Sequence, residues 1–168
     1  AIIEQIVKAS RPGQETEPWT KQLINSLTSA LQAGDKPSGV RLNQLLGRLK
    51  QVTPDSSLVA YAEYRQLFAS YSSDIGKAAT TEQQQKIQTT WLTNLKTFVS
   101  KHPKADDAPD AILQLALNSE FAANAADAKQ WYGQLVSKHG QSPQAVRAAG
   151  ALQRMGLRGK SLTLSGPD

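Results

Sequence analysis

Phe98-Val99-Ser100-Lys101-His102-Pro103 returns 37 positions later as Leu135-Val136-Ser137-Lys138-His139-Gly140. The same shift carries Ala108 to Ala145, Ala111 to Ala148 and Leu115 to Leu152, so a helix, its connection and the helix after it are written twice. A period of this size marks a helical hairpin that cannot bury its apolar face alone and shields it against a neighbouring copy. The expected fold class is therefore all-α, an α-solenoid of stacked antiparallel helical hairpins with about eight helices.

The rest of the chain agrees with that choice. It holds 22 Ala, 19 Leu and 17 Gln, while Val and Ile are thin, which favours helix over strand. Apolar residues recur at three- and four-residue intervals. A first helix holds Ile2, Ile3, Ile6 and Val7. A second starts near Thr16, carries Trp19, Leu23, Leu27 and Leu31 on one face, and stops at Gly34, the residue best able to take a left-handed conformation. A third repeats the spacing at Leu42, Leu45, Leu46 and Leu49. The fourth is expected to take Thr53 as its N-terminal cap, with Pro54 in its first turn and Leu58, Tyr61, Tyr64, Phe68 and Tyr71 inward. A fifth runs from about Glu82 to His102 with Trp91, Leu95 and Phe98 inward. The sixth is apolar on two faces, Ile112 and Leu115 against Leu113, Leu117 and Phe121, and should be sandwiched. The seventh starts at the cap Asn124, and Ser142-Pro143 announces the eighth, which ends at Gly156. Residues 1–156 read as one helical domain and 157–168 as a linker towards a C-terminal domain.

At 168 residues, 18.2 kDa and 39% hydrophobic residues the chain can bury a real core. Its net charge of +5 and 20% charged residues fit neither a disordered nor a fibrous chain. No run of 18 apolar residues is present to span a membrane, and no basic start with a short apolar run reads as a signal peptide. The start at Ala1, inside an apparent helix, leads to the expectation that the chain is a piece of a longer protein. Cysteine is absent, which removes disulfides, thiol nucleophiles, Cys-ligated zinc and iron–sulfur clusters together.

The motifs that suggest chemistry have simpler explanations. His102 and His139 occupy the same repeat position at a helix end, where a cation meets the negative end of the dipole, and zinc would need further ligands. Asp106, Asp107 and Asp110 begin a helix, where carboxylates meet free N–H groups. Gly159-Lys160-Ser161 lacks the earlier glycine of a phosphate loop, since position 154 is Arg. No catalytic residue, metal ligand or cofactor site is therefore assigned. Charge is uneven, however: Ala105 to Asp127 holds five acids and no base, whereas Ala128 to Pro167 holds bases and no acid. Lys138, Arg147, Arg154 and Arg158 are taken as the candidate interaction surface. Without interleaved exposed aromatics they do not point to nucleic acid.

The stretch that includes Ile112, Leu115-Ala116, Ser119 and Ala128-x3-Tyr132 resembles the tetratricopeptide family, with a large residue, a Leu-small pair and an Ala-x3-aromatic at matching places. Leu115, Ala116, Ala128 and Tyr132 are the repeat positions, although Ile112 replaces a Trp and Gly140 a closing Pro. The rhythm of Phe98 to Gly156 looks like the variety found in bacterial envelope proteins. Gln88-x2-Trp91-Leu92-x2-Leu95, Glu120-Phe121-Ala122, Ala128 to Gly133 and the exit Gly159 to Gly166 resemble the helical region upstream of the thioredoxin-like domain in envelope thiol–disulfide oxidoreductases of the TlpA and ResA type. That resemblance implies a noncatalytic helical part, an extracytoplasmic location, and a partner that is either a protein segment or the adjoining C-terminal domain. A stand-alone envelope adaptor, or the helical part of an enzyme of another class, stays open as the alternative. In far-UV circular dichroism the chain should show well over half of its residues as helix; a strand-dominated spectrum would overturn the fold class.

Overall fold

The computed structural model describes residues 16–157, and the expected first helix and the exit after Leu157 lie outside them. Within that range are seven helices and no strand: α1 (Glu17–Gln32), α2 (Lys36–Val52), α3 (Ser57–Ile75), α4 (Thr81–Lys101), α5 (Ala108–Phe121), α6 (Ala125–Lys138) and α7 (Pro143–Leu157). The chain falls into two compact units, one up to Ala108 and the other from Pro109 on. No helix among the described residues is long and apolar enough to cross a membrane.

Five of the seven helices start where a side chain takes up a free N–H; α1 has no such cap. Asp35 accepts from the Ser38 N–H, Ser56 from Leu58, Asn124 from Asp127 and Ser142 from Ala145. At α4 the cap is reciprocal: Thr80 accepts from the Gln83 N–H at 3.2 Å, and the Gln83 side chain accepts from the Ala79 N–H at 2.8 Å. Gly34 ends α1 with φ 97°, the left-handed turn its sequence position suggested. Ala123 does the same after α5 at φ 58°, where a side chain makes the conformation costly.

In the first unit α1, α2 and α3 enclose one core built from Leu23, Ile24 and Leu27, from Leu42, Leu46 and Leu49, and from Leu58, Val59 and Ala62. Buried Thr20 and Thr28 hand their hydroxyl protons to the carbonyls of Thr16 and Ile24, so neither leaves a polar group stranded. α4 packs on α3 through rings. Tyr71 stacks on Trp91 with centroids 4.7 Å apart, and Tyr64 meets Phe98 at 5.3 Å. In the second unit α6 packs on α7. α5 is tied to both by Tyr132, whose hydroxyl donates to Glu120 at 2.8 Å, and by Arg154, which reaches the other Glu120 oxygen at 2.8 Å.

The sequence repeat has a backbone counterpart, and it occurs three times. The His102 N–H donates to the Phe98 carbonyl at 2.8 Å, Ala105 to His102 at 3.1 Å and Ala108 to Ala105 at 3.0 Å. Shifted by 37 residues, His139 donates to Leu135, Ser142 to His139 and Ala145 to Ser142 at 2.9, 2.8 and 3.0 Å. The same three bonds run earlier from Thr53 to Leu49, Ser56 to Thr53 and Val59 to Ser56 at 2.8, 3.0 and 2.9 Å. The three turning residues share one conformation, with φ −142°, −125° and −132° at Thr53, His102 and His139. Pro54 and Pro103 enforce it, because the residue before a proline is pushed out of the helical region.

Four expectations are corrected by this geometry, the first being Phe68, which spacing placed inward and which is 41% exposed. Thr53 does not cap the start of α3; it closes α2, and Ser56 is the cap. Trp19 is 46% exposed, because it stands in the first turn of α1, before the Thr20 to Thr28 stretch that is packed. Phe121 is 86% exposed. It follows Ile112 by nine residues, half a turn out of phase with the buried face of α5. Leu49→Ala, at the fully buried position that closes the first junction, should cost about 2–5 kcal/mol in urea unfolding; an unchanged midpoint would mean that this junction is not a packed element.

Candidate functional site

Helical spacing puts Glu63, Gln66, Leu67, Ser70, Tyr71 and Asp74 on one face of α3. On α4 the same spacing aligns Gln83, Lys86, Ile87, Thr90, Asn94 and Lys101. These faces meet along a seam that leaves three depressions of about 240, 440 and 260 Å³. The first two share Asp74, Lys86 and Ile87, and the last two share Gln66, Leu67 and Asn94. They therefore form one continuous groove, and α2 adds Leu46 and Lys50 at one end. From Gln83 to Lys101 the groove follows α4 for about 27 Å, room for about eight residues of extended chain.

Its floor is set by the ring packing. Trp91 is nearly buried, wedged against Tyr71 and with Phe68 edge-on at 6.3 Å, so the groove bottoms on aliphatic and partly covered aromatic surface. The Tyr71 hydroxyl donates to the Gln88 side chain at 2.7 Å, which locks the ring's tilt. The walls carry amides and hydroxyls, and the Gln66 amide donates to Asn43 on α2.

At the end nearer α2 the groove meets an ion cluster. Glu63 accepts from Lys50 at 2.8 Å and from Lys101 at 2.7 Å on one oxygen, and its other oxygen lies 2.6 Å from His102 Nε2. Burial pushes the Glu63 carboxyl upward, but the hydrogen bonds from Lys101, Lys50 and His102 outweigh it and bring its pKa down to about 2. His102 is also in ring contact with Phe98, centroids 5.4 Å apart. One carboxylate thus ties α2, α3 and the end of α4 together.

A second cleft of about 360 Å³ lies in the same unit and is lined by residues of the Thr53 and His102 turns. Lys21, Lys101 and Lys104 line it together with Asp55, Asp106 and Asp107, so its charges balance and select no ligand sign. Asp107 is engaged by Arg65 at 3.4 Å, and the Arg65 guanidinium lies over the Tyr61 ring at 4.8 Å. Asp110 accepts from the Gln144 amide at 2.6 Å within the second unit.

Of the basic residues singled out from sequence, Lys138 ends α6, Arg147 is exposed on α7, and Arg158 lies outside the described residues. Arg154 holds Glu120 and so serves the fold of the second unit. The repeat positions Leu115, Ala116, Ala128 and Tyr132 are all buried. Burial and the hydrogen bond to Glu120 push the Tyr132 hydroxyl up to about 12. Sequence reasoning missed the groove because its residues are ordinary polar positions. The available signal was the polar run from Thr81 to Thr90, in which Ile87 is the sole apolar residue.

No protein-family model matches the chain, and neither a curated protein nor a solved structure matches it.

The Glu63 cluster generates a pH signature. A carboxyl whose pKa falls on folding stabilises the native state above its ordinary value and loses that contribution as pH drops towards the folded value. Glu63→Gln should therefore be less stable than the wild type at pH 7, by on the order of 1–3 kcal/mol. The difference should close as pH falls from 4.5 to about 2, as followed by chemical unfolding at each pH. A gap that persists unchanged at pH 2 would contradict this account.

Proposed function

We propose that this chain is a noncatalytic protein-interaction domain whose hairpins are of the tetratricopeptide-like kind and whose α3–α4 groove holds an extended segment of another protein. The observation that carries the reading is the groove's construction. An extended segment has main-chain N–H and C=O groups without partners, and Gln66, Asn94 and Gln83 along the walls each offer both a donor and an acceptor. Alternate side chains of such a segment point down, where Leu67, Ile87 and Tyr71 offer apolar surface. Peptide recognition elsewhere divides the work in this way, with main-chain hydrogen bonds for affinity and pockets for specificity.

We further propose that the domain is the helical part of an extracytoplasmic thioredoxin-like thiol–disulfide oxidoreductase, where it presents or docks a substrate or the redox domain itself. Support comes from the residue pattern around Gln88, Trp91 and Leu95, of which Gln88 and Trp91 meet Tyr71 across the α3–α4 seam. The gene beyond Asp168 tests this part: a Trp-Cys-x-x-Cys after a short apolar strand supports it, and an unrelated domain or a stop codon sinks it.

The interaction reading is tested by selecting binders from a displayed random-peptide library on the immobilised domain, then measuring them against Ser70→Trp. Ser70 is exposed in the groove, so the substitution should leave the melting temperature nearly unchanged. It should weaken selected peptides by roughly tenfold or more, as expected when a bulky ring occupies the site. Peptides that bind the variant equally well, or a library that yields none, would remove the groove as the site.

A further inference from the structure

We infer that the segment held in the α3–α4 groove is acidic at its two ends and neutral, with alternating apolar residues, in between. The inference rests on the interaction reading above and adds the chemistry of the occupant. Four lysines line the groove, and they lie at its ends: Lys50 and Lys101 beside α2, Lys77 and Lys86 at the other. Facing them are two carboxylates, Glu63 and Asp74. Each end therefore carries one more positive than negative charge. Glu63 already serves Lys50, Lys101 and His102 at 2.6–2.8 Å, and Lys77 leans on the neutral Ser73 hydroxyl at 2.6 Å. Between the ends the walls are uncharged: Gln66, Ser70, Thr90 and Asn94.

The spacing follows from the helix. Lys86 and Lys101 are fifteen residues apart on α4, about 22 Å. An extended chain covers that distance in six to seven residues. An acidic residue at position 1 and another at position 7 of a bound strand would stand on the same side of it and reach the two lysine pairs, while residues 2, 4 and 6 face Leu67, Ile87 and Tyr71 on the floor. A single strand of nucleic acid also offers negative charge, but it needs flat aromatic faces on which bases stack. Of the rings that line the groove, Trp91 and Phe98 are 95% and 97% buried, which leaves only the part-covered Tyr71.

The experiment uses fluorescence anisotropy with the whole chain and four labelled probes of equal length. One is an octapeptide with aspartate at positions 1 and 7, leucine at 2, 4 and 6, and serine elsewhere. The second moves the two aspartates to the centre, the third replaces them with lysine, and the fourth is an oligothymidylate. The first should bind roughly five- to tenfold more tightly than the second, as two partly exposed ion pairs allow. The third should bind more weakly still, and added salt should erode the preference. Lys77→Glu combined with Lys86→Glu should abolish the preference at an unchanged melting temperature. Equal binding of the three peptides, each weakened by Ser70→Trp, would overturn this inference and leave the groove reading standing. Binding of none of the peptides would overturn both, and an oligothymidylate bound as tightly as the first peptide would replace the acidic segment with a nucleic acid.

Discussion

The turn built on Thr53, His102 and His139 is the constraint from which the helical arrangement follows. In each case the last N–H of one helix is held by a carbonyl four residues back, and two further three-residue steps deliver the chain into the next helix. The apolar residue that supplies the carbonyl, Leu49, Phe98 or Leu135, is buried, and so is the residue ten places on, Val59, Ala108 or Ala145. A turn with both ends anchored in apolar contact has little freedom to redirect the following helix. Small residues one helical turn later, Ala62, Ala111 and Ala148, are fully buried, where a larger side chain would hold the helices apart.

Charge is used inside this frame to lock helices and not only to decorate them. Glu63 gathers two lysines and a histidine from the neighbouring helices, and Glu120 joins Tyr132 and Arg154 in the second unit. Each carboxylate is partly sheltered, so its partners are held with less screening than at a free surface. The Glu63 cluster also sets the character of the groove end: it consumes one negative charge and leaves two lysine stems as the wall. The structural device and the groove wall are thus the same residues.

Much of the candidate site was not legible in the sequence, because what makes it a site is the alignment of two helix faces. Gln66 and Asn94 are unremarkable as letters; they become walls when α3 and α4 pack through Tyr71 and Trp91. The basic residues near the C-terminus drew notice as a run of like charges, yet Arg154 is paired with Glu120 at the surface. A charge count has no way to register a carboxylate 34 residues away in the chain. The third copy of the turn was hidden for a related reason. Thr53-Pro54 precedes His102-Pro103 by 49 residues instead of 37, and a fixed-period comparison passes over it, although the backbone bonds are the same.

The periodicity of apolar residues, the caps and the prolines determined by themselves that the chain is helical and roughly where each helix lies, since those features act over one or two turns and need no distant partner. The left-handed close at Gly34 and the repeated close at His102 and His139 belong to that local physics. Tertiary structure decided which apolar residues are covered. Trp19 and Phe121 keep to helical spacing yet stand exposed, because burial requires a neighbour at that point of the surface. It also decided that Glu63 is the hub of three helices and that the α3–α4 seam is open, both of which depend on residues brought together from far apart in the chain.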